Sequence, residues 1–325
     1  MLDVIGIGAL NLDLMYEVDA LADLRKHGWP LHAGREQSLS PAEFRRLLQK
    51  LESEDASRFR SGGGSAANTI VALARMGFQT GFVGRVGGDA EGAFILSEMK
   101  GVDLAQVKQG AASGICLVVL DRRRDRALVV QPNANDALTF EDLDIFYLAD
   151  ARFLHLSAFV GDDPFAAQCR LMELLPARVK VSLDPGELYA SRGKAAILPL
   201  IARSSILFTT GHEICRLTGA ADYQAGCREI ASLGPNTGVC KRGEQGAYLF
   251  SSEGEAEFRP QRETEVVDNT GAGDVFNAGF LAGLLRKMPL RTCLAFAHAL
   301  AAKSIGGYGR QSYPDAADLR EMQGG

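Results

Sequence analysis

This 325-residue chain predicts an α/β fold, with a mostly parallel sheet covered by helices on both faces. Three observations lead there. Short apolar, β-rich runs alternate with helical patterns over most of the length. The runs are mostly apolar, as strands buried on both faces are. The composition, 46% hydrophobic and 23% charged, suits a chain long enough to bury a sizeable core as one large domain.

Candidate strands lie at 4–9, 80–83, 115–120, 127–131, 153–156, 180–183, 206–209, 237–241 and 247–251. Candidate helices lie at 66–76, 93–99, 140–148, 164–175 and 223–233. Ligands of such open sheets sit beyond the C-terminal strand ends. Two stretches break the rhythm. Runs 115–120 and 127–131, joined by the polar tip 121–126 with Arg122, Arg123, Arg124 and Arg126, form a hairpin that fits either a lid or a sheet edge. Segment 21–60 carries one clear helix at 41–51, which Ser40 caps, Pro41 opens and Glu43 completes as a capping box. From 288 the tail reads as a helix through Ser304, a glycine-rich turn (Gly306, Gly307, Gly309) and a short helix from Pro314.

A formal net charge of -5 and a pI near 5.7 give no reason to expect a nucleic-acid or membrane partner. The apolar start carries Asp3 and lacks a basic leader region, so it reads as a first strand. The six cysteines are scattered without a CxxC pair and the five histidines show no ligand spacing; a reduced, cytoplasmic protein without a zinc site is expected.

The chemistry concentrates in two glycine-rich stretches. Asp268-Asn269-Thr270-Gly271-Ala272-Gly273-Asp274 directly precedes an apolar run at helical spacing. A helix start with free N–H groups favours an anion, and glycines let a phosphate approach the backbone. Asp274 would lie in the first turn, where a carboxylate can take the proton of a hydroxyl attacking a phosphoryl group. A carboxylate that merely complements the helix dipole fits the same spacing. Ser61-Gly62-Gly63-Gly64-Ser65-Ala66-Ala67-Asn68 also opens a helix; its amides and Asn68 could hold sugar hydroxyls, or Asn68 could serve as a local cap.

Together, a GG loop before an Asn-bearing helix and a later D-x-T-G-A-G-D resemble the signature of the ribokinase/PfkB carbohydrate and nucleoside kinases. Gly8-Ala9-Leu10-Asn11-Leu12-Asp13 is similar to that family's opening. The resemblance implies a ribokinase-like three-layer α/β/α sandwich with a small β lid, spanning 1–325 as one domain. Lid elements would come from about 13–20, 33–38 and 112–132, with a helical insertion at about 21–60. It implies transfer of the γ-phosphoryl of ATP, with Mg²⁺, to a hydroxyl of a small sugar or nucleoside. Asp13, Gly63, Gly64 and Asn68 would bind the acceptor. At the helix start that Gly271 opens, the backbone amides of Ala272, Gly273 and Asp274 would form the anion hole, and Asp274 would be the base.

Lys241, Gly243 and Gly246 would line the nucleotide, and His298 would pack near its adenine. Asp268 and Thr270 resemble a monovalent-cation site of the K⁺ type. Thr210 stands where the family has an asparagine, with Glu213 handling Mg²⁺ through water. That substitution also fits a catalytically silent sugar- or nucleoside-binding sensor. The insertion before the glycines looks like that of adenosine-kinase-type relatives, and Phe159 could stack on a base or simply pack. Some relatives dimerise through their lids, so a homodimer is a further expectation.

Overall fold

The computed structural model describes residues 1–54, 57–123, 125–252, 254–260 and 266–321. Its strands, in chain order, are β1 (Leu2–Ile7), β2 (Asn11–Val18), β3 (Glu36–Ser38), β4 (Ser57–Gly63), β5 (Thr80–Gly87), β6 (Val102–Gly110), β7 (Gly114–Asp121), β8 (Arg126–Gln131), β9 (Ala151–Ser157), β10 (Lys180–Asp184), β11 (Ile206–Thr210), β12 (Thr237–Lys241), β13 (Ala247–Ser251) and β14 (Gly254–Phe258).

Nine of them form the larger sheet, in the order β14-β13-β12-β11-β10-β9-β1-β5-β6. It is parallel from β6 through β12 and turns antiparallel only at the β13–β14 edge. Successive side chains of β1 and β5 enter opposite cores. Val4 and Phe82 pack with α3 (Ser65–Arg75), α11 (Ala272–Leu285) and α12 (Leu290–Ser304), while Ile5, Ile7 and Val83 join the other layer. The helices between are α4 (Ala90–Ser97), α5 (Ile145–Ala149), α6 (Asp162–Leu174), α7 (Gly186–Arg192), α8 (Lys194–Arg203), α9 (Gly211–Thr218) and α10 (Tyr223–Ala231). The last three are α11 (Ala272–Leu285), α12 (Leu290–Ser304) and α13 (Ala316–Glu321). Helices α3, α4, α11, α12 and α13 supply one core, and α5 to α10 the other, so the fold has three layers.

The remaining five strands make a second, smaller sheet, β3-β8-β7-β2-β4. Helices α1 (Leu21–Lys26) and α2 (Pro41–Ser53) cover its outer face through Leu24, Phe44 and Leu47, packed on Leu117, Val119 and Val129. Ser40 caps α2 and Glu43 completes the capping box, as its sequence predicts. None of the exposed large apolar side chains among the described residues lies on this small sheet.

Several local expectations need correction. Residues 57–63 form strand β4 of the small sheet, where only a loop opening the next helix was expected. The helix expected at 140–148 is two pieces, a 3-10 turn Phe140–Asp142 and α5. The Asp142 carboxylate folds back onto Thr139 N–H (2.9 Å), and Asp144 caps the second piece at Phe146 N–H (2.9 Å), so side chains interrupt the helix. Strand β6 and helices α7 and α8 were not foreseen. Arg124 at the hairpin tip, and the tail beyond 321, lie outside the described residues. Among the described residues, no helix is long and apolar enough to cross a membrane.

Candidate active site

Helix α11 starts where a glycine is required. Gly271 has φ +77°, and a Cβ there would lie 2.3 Å from the Tyr313 hydroxyl oxygen. Asp274 follows at the third helical position. Its Oδ1 accepts the Ser65 hydroxyl (2.7 Å), and its Oδ2 accepts the Asn68 side-chain amide (2.9 Å). Ser65 and Asn68 are one turn apart on α3 and so share a face. The Thr69 hydroxyl adds a bond to the Asp274 main-chain oxygen (3.1 Å), which fastens α3 to α11.

Asp274 stays partly accessible, yet burial dominates its acidity. Desolvation, opposed by the Ser65 and Asn68 hydrogen bonds, pushes its pKa up to about 6. Of the three main-chain donors expected around an anion here, two are engaged. Ala272 N–H reaches Asn269 O (3.3 Å) and Asp274 N–H reaches Gly271 O (3.0 Å). Among the described residues, Gly273 N–H has no acceptor. A Cβ on Gly273 would sit 3.3 Å from Lys241 Nζ, so a cation lies beside that open donor.

Lys241 ends β12 and reaches Asp184 Oδ2 (2.7 Å), at the end of β10, and Asn277 Oδ1 (3.2 Å), one turn along α11 from Asp274. The Asn277 amide completes the triangle to Asp184 Oδ2 (2.6 Å). Burial acts against both charges, but each offsets the other: Asp184 is held below its usual range and Lys241 above its own. Strand ends of the parallel sheet thus converge under the start of α11.

On the other side lies Asp13 of β2. It sits directly over Gly63, where a Cβ would be 2.0 Å from Asp13 Oδ1, so only glycine fits. Burial pushes Asp13 up to about 7; Arg310 opposes this and the Asp268 and Asp274 charges add to it. Register places Asp13 beside Cys116, and Cys116 beside Val130. The adjacent row on the same face holds Met15, Val118, Leu128 and, from β3, Glu36. That face points away from α1 and α2, toward Val160 and Tyr308. It is therefore an apolar strip with a carboxylate at each end. Burial also raises Glu36 to about 7, helped by Asp274, Glu213 and Asp184.

The residues expected around the nucleotide are more dispersed. Gly243 (φ +56°) and Gly246 (φ +89°) shape the turn after β12, and a Cβ on Gly246 would lie 2.0 Å from Phe258 O. His298 packs on the Phe258 ring, centroids 4.9 Å apart, and burial lowers its pKa. Thr210 caps α9: its hydroxyl accepts Glu213 N–H (3.2 Å), and Glu213 Oε2 accepts Thr210 N–H (2.7 Å). Gly64 starts α3 at φ +101°, with its Cβ position 2.0 Å from Ala9 O. Phe159 is buried in the core among Leu156 and Tyr189, so packing is its role.

A model of the pfkB family carbohydrate kinases matches residues 45–316. The chain belongs to that family. This pfkB-family chain is 32% identical to an uncharacterized sugar kinase of Archaeoglobus fulgidus over 253 residues, 76% of the chain and 99% of the relative. It is 33% identical to the aminoimidazole riboside kinase of Salmonella typhimurium, over 75% of the chain and 78% of the relative. In fold it resembles the adenosine kinase from Sinorhizobium meliloti, with a TM-score of 0.89 at 20% identity, covering 98% of this chain and 99% of that one. A ribokinase from Thermotoga maritima superposes with a TM-score of 0.77 at 20% identity over the whole of both chains. The fold is ribokinase-like.

Two tests of fit for ions follow from the side chains. Among the described residues, no three His, Cys, Asp or Glu side chains gather as a metal cage. Mg²⁺ keeps several waters and phosphate oxygens, so a single oriented carboxylate such as Glu213 is compatible with it. Asp268 is buried, with Oδ1 taking Thr270 N–H (2.8 Å) and Oδ2 taking Gly309 N–H (3.0 Å). Among the described residues the Thr270 hydroxyl is buried without a partner, so its oxygen fits a ligand of a monovalent cation.

Residues that sequence reasoning passed over include Ser65, Asp184, Asn277, Glu36 and Arg310. Three had signals. Ser65 heads the same helix as Asn68, and Asn277 follows Asp274 by one turn. Asp184 stands before Pro185-Gly186 at a strand end, a turn signal. Glu36 and Arg310 had none, since long-range packing alone brings them in.

Proposed function

We propose that this pfkB-family member transfers the γ-phosphoryl of ATP to a hydroxyl of a small sugar or sugar-containing acceptor, with Asp274 as general base. The observation that carries this is the double clamp on Asp274: Ser65 and Asn68 each hold one oxygen, beside the open Gly273 N–H and Lys241. A carboxylate oxygen bonded once keeps a lone pair, and Asp13 lies near enough to feel the Asp274 charge. With a pKa of about 6, it is ionised at neutral pH and still basic enough to take a proton in the transition state.

In the step itself, the acceptor O–H gives its proton to Asp274 as its oxygen bonds the γ-phosphorus. The β,γ-bridging P–O bond breaks, and ADP leaves with that electron pair. Gly273 N–H and Lys241 meet the charge on the transferring group. Asp13, seated on Gly63, holds acceptor hydroxyls and orients the attacking one. Glu213, held by Thr210 N–H, would order the waters of Mg²⁺, which when bound would supply charge neutralisation at the phosphates. A monovalent cation beside Asp268 and the Thr270 hydroxyl would tie that turn to Gly309.

A nucleoside acceptor is the second reading, favoured by the apolar strip Met15, Cys116, Val118, Leu128 and Val130. A base could lie on that strip, while a bare polyol would leave it without hydroxyl partners. ADP release across a panel of sugars and nucleosides decides between them. Asp274→Asn should retain ATP affinity and lose roughly 10²–10⁴ in turnover. Near-wild-type turnover in that variant would remove the assignment.

A further inference from the structure

Arg310 lies in the turn after α12, buried to 5% exposure. Its Nε–H donates to Asn68 Oδ1 (3.0 Å), while Asn68 Nδ2 donates to Asp274 Oδ2 (2.9 Å). An amide can be turned over, exchanging its oxygen and nitrogen. Here the reversed amide would aim its oxygen at a carboxylate and its NH₂ at a guanidinium, which accepts nothing. Both contacts would be repulsive. The guanidinium therefore sets which end of Asn68 meets the base.

The turn holding Arg310 is itself fixed. Arg75 Nη1 donates to Arg310 O (2.6 Å), and the preceding Gly309 N–H is bound by Asp268. Yet among the described residues Nη1 and Nη2 of Arg310 are buried without acceptors. Burying an under-bonded guanidinium costs stability, so stability alone does not account for an arginine here. We propose that Arg310 is a positioning residue for phosphoryl transfer, acting through the Asn68 amide to keep a hydrogen-bond donor on Asp274.

The idea rests on Asp274 being the base. Charged and titratable groups facing Arg310 are Asp13, Asp274, Glu98 and Tyr313. Asp184 and Lys241 face Asp274 from the large sheet, and Glu36 from the small one. Losing the oriented donor removes an interaction that favours the ionised base, so the acid limb of activity should move to higher pH.

The test is the pH profile of kcat/KM for wild type, Arg310→Met, Arg310→Gln and Arg310→Lys, alone and with Asn68→Ala. Arg310→Met should shift the acid limb upward by about one pH unit, a loss of about fivefold at pH 6 that shrinks above pH 8. Arg310→Lys, which keeps charge and a donor, should shift it less. In the Asn68→Ala background the Arg310→Met shift should be smaller than in wild type. A uniform loss at every pH, or shifts that simply add, would overturn the proposal and leave Arg310 a packing residue. Failure of all three variants to fold would overturn it too, because lysine preserves the proposed contact. The underlying base assignment is judged separately: if Asp274→Asn keeps turnover, that reading fails whatever the arginine variants show.

Discussion

Asn68 donates its side-chain amide to Asp274 across 2.9 Å, although the two are 206 residues apart in the chain. Because this bond and the Ser65 bond are the main forces holding the buried carboxylate ionised, they set the working pH of the site. Asn68→Ala should therefore raise the pKa that governs the acid side of kcat/KM. A hydrogen bond to a charged group is worth about 1.5–3 kcal/mol, or roughly one to two pH units. A profile that falls equally at all pH values would assign Asn68 to acceptor binding instead.

Gly63 offers a cleaner separation of acceptor from nucleotide. Any Cβ at that position would overlap the Asp13 carboxylate, which must then swing away. Gly63→Ala should raise the acceptor KM at least tenfold while the KM for ATP stays within about twofold, since one lost charged hydrogen bond costs more than 1.4 kcal/mol. Initial-rate measurements with each substrate varied in turn would show it. Equal changes in both constants would mean that Asp13 supports the whole cleft.

How much of this was legible beforehand divides along range in sequence. The parallel sheet, the start of α11 and the α2 capping box each depend on residues a few positions apart, and local pattern shows them. Strand β4 was hidden because Ser61, Gly62 and Gly63 read as a loop; it forms only because β2 pairs with it, Asp13 opposite Ser61. The Asp184–Lys241–Asn277 triangle draws on three elements, so no local spacing announces it. Arg310 sits between a glycine cluster and Pro314 with no periodic signal, and its meaning comes wholly from Asn68. The glycine-rich motifs thus pointed to the place, while the side chains that tune Asp274 required coordinates.

Charge burial in the cleft makes stability depend on pH in an unusual direction. Asp13 and Glu36, each near 7, and Asp274, near 6, all lie above the usual carboxylate range. Between about pH 4 and 7 the folded protein holds more protons on these groups than the unfolded chain does. Stability from this source therefore falls as pH rises through that window and levels off above it. Asp13→Asn removes one such group, so at pH 8 its melting temperature should exceed that of the wild type without ligands. The gain should shrink to a small fraction near pH 4.5. Thermal denaturation at the two pH values measures this, and an Asp13→Asn protein less stable at pH 8 would show that its carboxylate is favourably paired.

Lys241 tests the opposite electrostatic case. Its side chain is 13% exposed and that of Asp184 6%, so the pair is largely withdrawn from water. Removing only the lysine strands a buried carboxylate that keeps two neutral donors, the Asn277 amide and Gly186 N–H. Lys241→Met should cost about 3–5 kcal/mol, the usual penalty for an unpaired buried charge. It should also cut turnover beyond the loss of folded protein, because the cation beside Gly273 N–H goes with it. The double variant Lys241→Met with Asp184→Asn removes the stranded charge and should recover much of the stability without recovering turnover. Urea titration and turnover per folded molecule separate the two effects. Recovery of both together would show that Lys241 serves the fold alone and contributes nothing to the transferring group.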